Sequence, residues 1–208
     1  MDRSFFQFLM IAWLTVINAV EWSQFDEKPE KYGLLVNEGH KFQGDIIVVF
    51  YEQKFGLYPH YRNFSDISSA VNGGIPQRAD LSAHLEKVRN NIEKAIPKVG
   101  FNGLAIIDYE EWRPLWKHNW YTKRIYQKAS IDDVKQRQPE ISEEEAEKIA
   151  EKEFNNASMV FLTKTIQEAK KLRPNALWGY YGMPFCNYSA GKNGTVGCGE
   201  WFEEYNDR

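Results

Sequence analysis

Hydrophobic residues are clustered in three short runs that predict strands. β-Branched and aromatic residues dominate residues 44–51, 101–108 and 176–181, and polar residues, glycine or proline bound each run. Short apolar runs with such boundaries are typical of buried strands, as in a parallel sheet.

Two longer segments with apolar residues at helical spacing separate these strands. The first follows Asp80, a suitable helix N-cap, and ends before Pro97. The second begins at Ser142 and Glu145, which have the spacing of a capping box, and ends at Pro174. The order strand, helix, strand, helix, strand predicts parallel pairing in a βα-barrel or an open α/β sheet.

The composition is that of a globular protein with many aromatic residues. Hydrophobic residues make up 43% and charged residues 26% of the 208 residues, with 7 Trp and 11 Tyr. The net charge of −3 gives no overall field that would attract a polyanion or a membrane. A closed eight-unit α/β barrel usually needs about 250 residues, so we expect the barrel to be incomplete in this chain.

The second predicted strand ends in two carboxylates, Asp108 and Glu110. Strand side chains alternate, so both acids project from one face while Tyr109 points to the other. Two neighbouring acids destabilise the folded state unless they share a proton or bind a substrate. We therefore interpret one of them as a general acid whose pKa is raised by its neighbour and by burial. The alternative interpretation is a solvated acidic loop.

Other residues are expected to join the acids at the same edge. The carboxyl ends of barrel strands converge on one face, which would bring Tyr181 and the Gly73-Gly74 loop towards Asp108 and Glu110. A basic and aromatic segment follows the acids and suits an anionic sugar polymer, because cations bind its carboxylates while rings stack on its sugar faces. Nucleic acid is disfavoured, since the net charge is negative and no binding motif is present. The segment contains Trp112, Arg113, Trp116, Lys117, His118, Trp120, Tyr121, Lys123 and Arg124.

The two acids suggest a reaction in which the substrate supplies the nucleophile. Their backbone separation of about 6.6 Å places both on one side of a bound sugar, and neither can attack from the opposite face. Unless a distant acid supplies the nucleophile, an N-acetyl group of the substrate would attack through its amide oxygen. Glu110 would protonate the leaving oxygen, Asp108 would adjust the pKa of Glu110, and the Tyr181 hydroxyl would position the amide.

The N-terminus predicts a secreted protein. Residues 5–19 are largely apolar, follow Arg3 and end at Ala19, as in a signal peptide, and are shorter than the ~20 residues of a membrane span. We therefore expect a signal peptide at residues 1–20, a mature domain at 21–208 without stable membrane insertion, and an extracellular location, with a lysosomal one as an alternative. A signal anchor is the other interpretation.

The cysteines and sequons agree with secretion. Cys186 and Cys198 are the two cysteines, and in an oxidising compartment we expect them to close a loop as a disulfide. A metal site is disfavoured because no histidine lies nearby and two thiolates do not complete a tetrahedral shell, and we expect no cofactor. Four glycosylation sequons occur, at Asn63, Asn156, Asn187 and Asn193.

Three segments resemble the hyaluronidases of glycoside hydrolase family 56: residues 72–77 (NGGIPQ), 103–116 (GLAIIDYEEWRPLW) and 178–186 (WGYYGMPFC). The resemblance implies a distorted TIM-like barrel that cleaves β-1,4 N-acetylglucosaminidic bonds of hyaluronan internally, with retention through amide participation. It implies Glu110 as proton donor, Asp108 as its partner, Tyr181 as a positioning residue and a disulfide between Cys186 and Cys198. We expect a monomer whose substrate is hyaluronan or a related glycosaminoglycan. The expected substrate-binding residues are Tyr109, Trp112, Arg113, Gly73, Gly74 and Gln77.

The chain also departs from the family pattern. The predicted leader passes almost directly to residues 25–29, and the chain stops at Arg208, so we expect the first strand and the C-terminal half of the barrel to be absent. Two alternatives stay open: a non-catalytic hyaluronan-binding or allergen-like secreted protein, and a different N-acetylhexosaminidase or chitinase-like barrel.

Overall fold

The computed structural model describes residues 44–183. The predicted leader, Cys186, Cys198, Asn187 and Asn193 lie outside this range. Within it, the strands are β1 (Ile47–Tyr51), β2 (His60–Tyr61), β3 (Ala70–Val71), β4 (Leu104–Asp108) and β5 (Leu177–Tyr180). The α-helices of the range are α1 (Leu81–Ala95), α2 (Arg124–Arg137) and α3 (Glu143–Leu172).

The principal sheet is parallel and has β4 at its centre. Its order is β1-β4-β5, with Tyr51 opposite Asp108 and Ile107 opposite Tyr180. The predicted α/β class with parallel strands is therefore confirmed, and residues 44–183 contain an open three-stranded portion of a sheet rather than a closed barrel. The short strands β2 and β3 form a separate antiparallel pair.

The helix starts follow the predicted capping chemistry. The Asp80 carboxylate accepts the Ala83 N–H at 2.9 Å at the start of α1. At the start of α3, the Ser142 hydroxyl accepts the Glu145 N–H at 3.2 Å, and the Glu145 carboxylate accepts the Ser142 N–H at 3.2 Å. These bonds satisfy N–H groups that have no partner within the helix, which is why both helices begin where the sequence predicts. Among the described helices, none combines the length and apolar character needed to cross a membrane.

The helix α2 is absent from the sequence-based prediction. It begins after Lys123, whose side chain makes no capping hydrogen bond, and charged residues interrupt its apolar pattern. Burial of Tyr126, Ala129 and Val134 holds it against the rest of the molecule. Tertiary packing rather than a local signal thus determines this helix.

The core lies between the sheet and the helices. Val48 and Phe50 of β1 and Ala105 and Ile107 of β4 are buried in alternation along their strands. An aromatic cluster continues this core beyond the carboxyl ends of the strands and supports the loop that follows β4. Its members are Phe55, Tyr58, Tyr109, Trp112, Phe154 and Phe161.

Candidate active site

The acid pair lies at the carboxyl end of the central strand. Asp108 is the last residue of β4, and Glu110 follows two positions later. Asp108 is partly buried, Tyr109 is buried and Glu110 is exposed, which is the alternation that the sequence predicts. A ligand that approaches this edge of the sheet therefore meets both carboxylates.

Tyr181 lies at the same edge, directly after β5. Its backbone N–H donates to the Ile107 carbonyl at 2.8 Å, which places it beside the end of β4. Its side chain is 38% exposed. The pairing of β4 with β5 therefore brings the backbones of Asp108 and Tyr181 to the same edge of the sheet, as expected.

Asp108 has an unusual electrostatic environment. Burial, and secondarily the negative charge of Glu110, raise the pKa of Asp108 to about 6 from an ordinary value of 3.8. Its Oδ1 atom is buried, with no hydrogen-bond partner among residues 44–183. A carboxylic acid that retains its proton in mildly acidic solution suits proton-transfer chemistry.

A third acid, Glu52, lies against the pair. Its Oε2 accepts the Glu110 N–H at 2.6 Å, and its own N–H donates to the Asp108 carbonyl at 3.1 Å. Burial raises the pKa of Glu52 to about 7, the hydrogen bond from Glu110 opposes this rise, and the charges of Glu111, Asp108 and Glu110 add to it. Sequence reasoning missed Glu52, because only the parallel register of β1 and β4 brings it to the acids.

The loop after β4 is fixed by two further side chains. The Lys123 ammonium donates to the carbonyls of Glu110 at 2.5 Å and Glu111 at 2.6 Å. Asn119 is fully buried, and its amide accepts the Arg113 N–H at 2.8 Å while donating to the Arg113 carbonyl at 2.9 Å. The loop that carries Glu110 is therefore held by side chains rather than by regular secondary structure.

The family model for hyaluronidase, glycoside hydrolase family 56, matches residues 7–208 of the chain. The chain belongs to the hyaluronidase family. The match begins inside the predicted signal peptide, whose cleavage stays a prediction.

Named members of the hyaluronidase family agree with this assignment. The chain is 42% identical over 180 residues to the hyaluronidase of Loxosceles intermedia, covering 86% of this chain and 44% of that protein. It is 40% identical over 179 residues to the chondroitin hydrolase of Caenorhabditis elegans, covering 86% of this chain and 39% of that protein. The chain thus spans less than half the length of these relatives.

A solved structure of the hyaluronidase family has the same fold over most of the chain. Bee venom hyaluronidase in complex with a hyaluronic acid tetramer matches with a TM-score of 0.74 at 33% identity, covering 88% of this chain and 56% of that one. This match supports the distorted barrel class that the sequence resemblance implies.

Two of the expected substrate-binding residues are core residues. Tyr109 is 8% exposed, and its hydroxyl donates to the Phe55 carbonyl at 2.9 Å. Trp112 is 1% exposed, and its indole N–H donates to the Pro59 carbonyl at 2.9 Å. Both side chains belong to the core that supports the acid-bearing loop. Direct substrate contact by either residue remains a prediction.

The Gly73-Gly74 loop packs on the β2-β3 hairpin. Both glycines have positive φ angles, of 90° and 76°, and a Cβ atom at Gly74 would lie 2.7 Å from the Tyr61 ring. The Gln77 amide donates to the Ser130 hydroxyl of α2 at 2.8 Å. The contacts found for this loop connect it to the hairpin and to α2 rather than to Asp108, and its role in substrate binding stays a prediction.

The remaining predicted sites differ in exposure. Arg113 is partly buried on the loop after the acids, and its substrate contact is untested. Asn63 and Asn156 are exposed. Ser158 of the second sequon is fully buried in α3, where its hydroxyl donates to the Pro114 carbonyl at 2.5 Å. Glycosylation at either asparagine remains a prediction.

The raised pKa values give this domain a pH-dependent stability. Asp108 and Glu52 have folded pKa values of about 6 and about 7, above their ordinary values of 3.8 and 4.5. The folded state therefore binds more protons than the unfolded state between about pH 4 and pH 7. Their contribution to stability is complete below about pH 4 and is lost as the pH rises through 6 and 7.

We expect Glu52→Gln to stabilise the protein at pH 8 and to have little effect at pH 4, because the amide carries no charge to desolvate. After allowance for solvent screening of this half-buried group, the gain at pH 8 is about 1 kcal/mol, or roughly 2–4 °C in melting temperature. Thermal unfolding of both proteins at the two pH values measures it. An equal difference at both pH values would show that Glu52 does not titrate as described.

Proposed function

We propose that the protein is an endo-acting glycoside hydrolase that cleaves β-1,4 N-acetylglucosaminidic bonds of hyaluronan. The observation that carries this proposal is the Asp108 and Glu110 pair at the carboxyl end of the central parallel strand, with the pKa of Asp108 raised to about 6. Membership of the hyaluronidase family and the likeness to a structure that holds a hyaluronic acid tetramer support the choice of substrate.

In the proposed mechanism the substrate supplies its own nucleophile. Both acids lie on one face, so the N-acetyl oxygen of the sugar attacks the anomeric carbon from the other side as Glu110 protonates the leaving oxygen. The attack forms a cyclic intermediate, and Glu110 then removes a proton from the water that opens it. Asp108 stabilises the positive charge that develops on the amide, and Tyr181 positions that amide.

The surface beside the acids supports an anionic sugar chain as the ligand. Trp120 and Tyr121 are 43% and 83% exposed and present flat faces to solvent after the loop that carries Glu110. The same segment carries the cationic side chains of Arg113, Lys117 and Lys123, each partly buried. Exposed rings and cations in one segment match the apolar faces and carboxylates of a glycosaminoglycan.

The test compares substrates that differ in one group. The full protein, expressed from its complete coding sequence, should release oligosaccharides from hyaluronan and should fail on hyaluronan whose N-acetyl groups have been removed. Zymography on hyaluronan separates an enzyme from a non-catalytic binding protein. Equal cleavage of the N-acetylated and deacetylated polymers would contradict participation of the amide.

Chondroitin is the second candidate substrate. The 40% identity to the chondroitin hydrolase of Caenorhabditis elegans favours it. The ratio of kcat/KM on chondroitin to that on hyaluronan decides which polymer is the better substrate.

We propose further that the protein is secreted as a monomeric glycoprotein with a Cys186–Cys198 disulfide. Protein from a secretory host should then show no free thiol under denaturing conditions, because these are the two cysteines of the chain. Mass spectrometry after thiol alkylation without reduction measures this. Alkylation of both cysteines would contradict the disulfide and weaken the case for secretion.

A further inference from the structure

Glu52 connects the end of β1 to the acid-bearing end of β4. Its N–H donates to the Asp108 carbonyl at 3.1 Å, and its side-chain Oε2 accepts the Glu110 N–H at 2.6 Å. One residue therefore binds the backbone at both positions of the acid pair.

The Glu110 peptide groups depend on side chains for their hydrogen bonds. Glu110 lies beyond the last residue of β4, outside regular structure. Its N–H is bound by the Glu52 carboxyl group, and its C=O is bound by the Lys123 ammonium at 2.5 Å. Loss of either partner leaves a peptide group of Glu110 without its bond and frees the loop to shift.

We propose that Glu52 is a positioning residue for the reaction, which fixes the Glu110 backbone so that its carboxyl group is aimed at the scissile bond. This inference rests on the proposed function of Glu110 as the proton donor. Positional precision matters because a displacement of about 1 Å can reduce turnover on the order of 10²-fold.

The charge environment of Glu52 explains how a third acid is tolerated here. Burial raises the pKa of Glu52 to about 7, so in mildly acidic solution the group accepts the Glu110 N–H without adding a full negative charge beside Asp108. Within residues 44–183, the groups that interact electrostatically with Glu52 include Asp108, Glu110, Glu111, Lys123, Tyr58, Tyr109 and Tyr126.

The experiment compares three variants of the full protein on hyaluronan. Glu52→Ala removes the acceptor and should lower kcat by about 10–100-fold with KM changed less than about threefold. Glu52→Gln keeps an acceptor oxygen of the same reach and should retain kcat within about threefold. Gln53→Ala, at the exposed neighbour in the same turn, should match the wild type. If the Glu52→Ala protein does not unfold cooperatively, Glu52→Leu takes its place as the variant without a hydrogen-bond acceptor.

Rescue by the conservative variant separates positioning from general stability. The pKa of Glu52 is about 7 and that of Asp108 about 6, so Glu52 is largely uncharged where Asp108 titrates. Glu52→Gln should therefore leave the pH profile of kcat/KM close to that of the wild type. Wild-type kcat in Glu52→Ala, or a Glu52→Gln variant as impaired as Glu52→Ala, would overturn the proposal.

Hydrogen exchange tests the same claim without turnover. A peptide that contains Glu110 should exchange its amide hydrogens faster in Glu52→Ala than in the wild type or in Glu52→Gln, and unchanged exchange would overturn the inference. If the wild type cleaves neither hyaluronan nor chondroitin, the proposed function fails, while the exchange data still decide whether Glu52 holds the Glu110 backbone.

Discussion

Glu110→Gln should lower kcat on hyaluronan by about 10³-fold while leaving KM nearly unchanged. The amide keeps the size and hydrogen-bonding capacity of the acid, but it has no proton to transfer to the leaving oxygen. Steady-state assays of reducing ends released from hyaluronan by the full protein measure the effect. The loss should fall on kcat because proton donation stabilises the transition state rather than the bound substrate.

Two further variants show whether the loss is specific. Asp108→Asn should cost about 10²-fold, since the developing positive charge loses its carboxylate partner. Glu93→Gln makes the same chemical change on the exposed side of α1 and should match the wild type. Substantial turnover by Glu110→Gln would show that another group donates the proton, and wild-type rates in Asp108→Asn would show that Asp108 is a bystander.

Trp112→Ala should destabilise the protein by about 3–5 kcal/mol. The side chain is fully buried and stacks on Tyr58 with ring centroids 5.1 Å apart, and its edge packs on Phe154 and Phe161. The substitution leaves a large cavity and an unpaired Pro59 carbonyl, which the indole N–H otherwise binds. Denaturant-induced unfolding of the full protein measures the change.

Trp120→Ala is the matched control for this prediction. Trp120 is 43% exposed, so its removal should change stability by less than about 0.5 kcal/mol. Equal stability of the two variants would show that Trp112 is not a core residue, and its role as a direct substrate contact would then be the better interpretation.

The sequence predicts those features that local chemistry determines. The Asp80 cap and the Ser142 and Glu145 capping box define the starts of α1 and α3, because their hydrogen bonds lie within four residues. The face shared by Asp108 and Glu110 follows from the period of a strand. These features need no knowledge of the distant parts of the chain.

Other features depend on contacts between distant segments. Glu52 meets Glu110 only because β1 and β4 pair in a register that places Tyr51 opposite Asp108. Tyr109 and Trp112 have the residue types of a sugar-binding surface, but packing against distant Phe55 and Phe161 buries them. The residue type alone does not distinguish a core aromatic ring from one that stacks on a ligand.

The most direct test of the central claim is the configuration of the first product released from hyaluronan. Proton NMR during the first minutes of digestion, before the anomers equilibrate, identifies the new reducing end. Attack by the amide of the substrate followed by attack of water inverts the anomeric carbon twice, so the account predicts β-configured N-acetylglucosamine at that end. Initial release of the α-anomer would contradict substrate assistance and the roles proposed for Asp108 and Glu110.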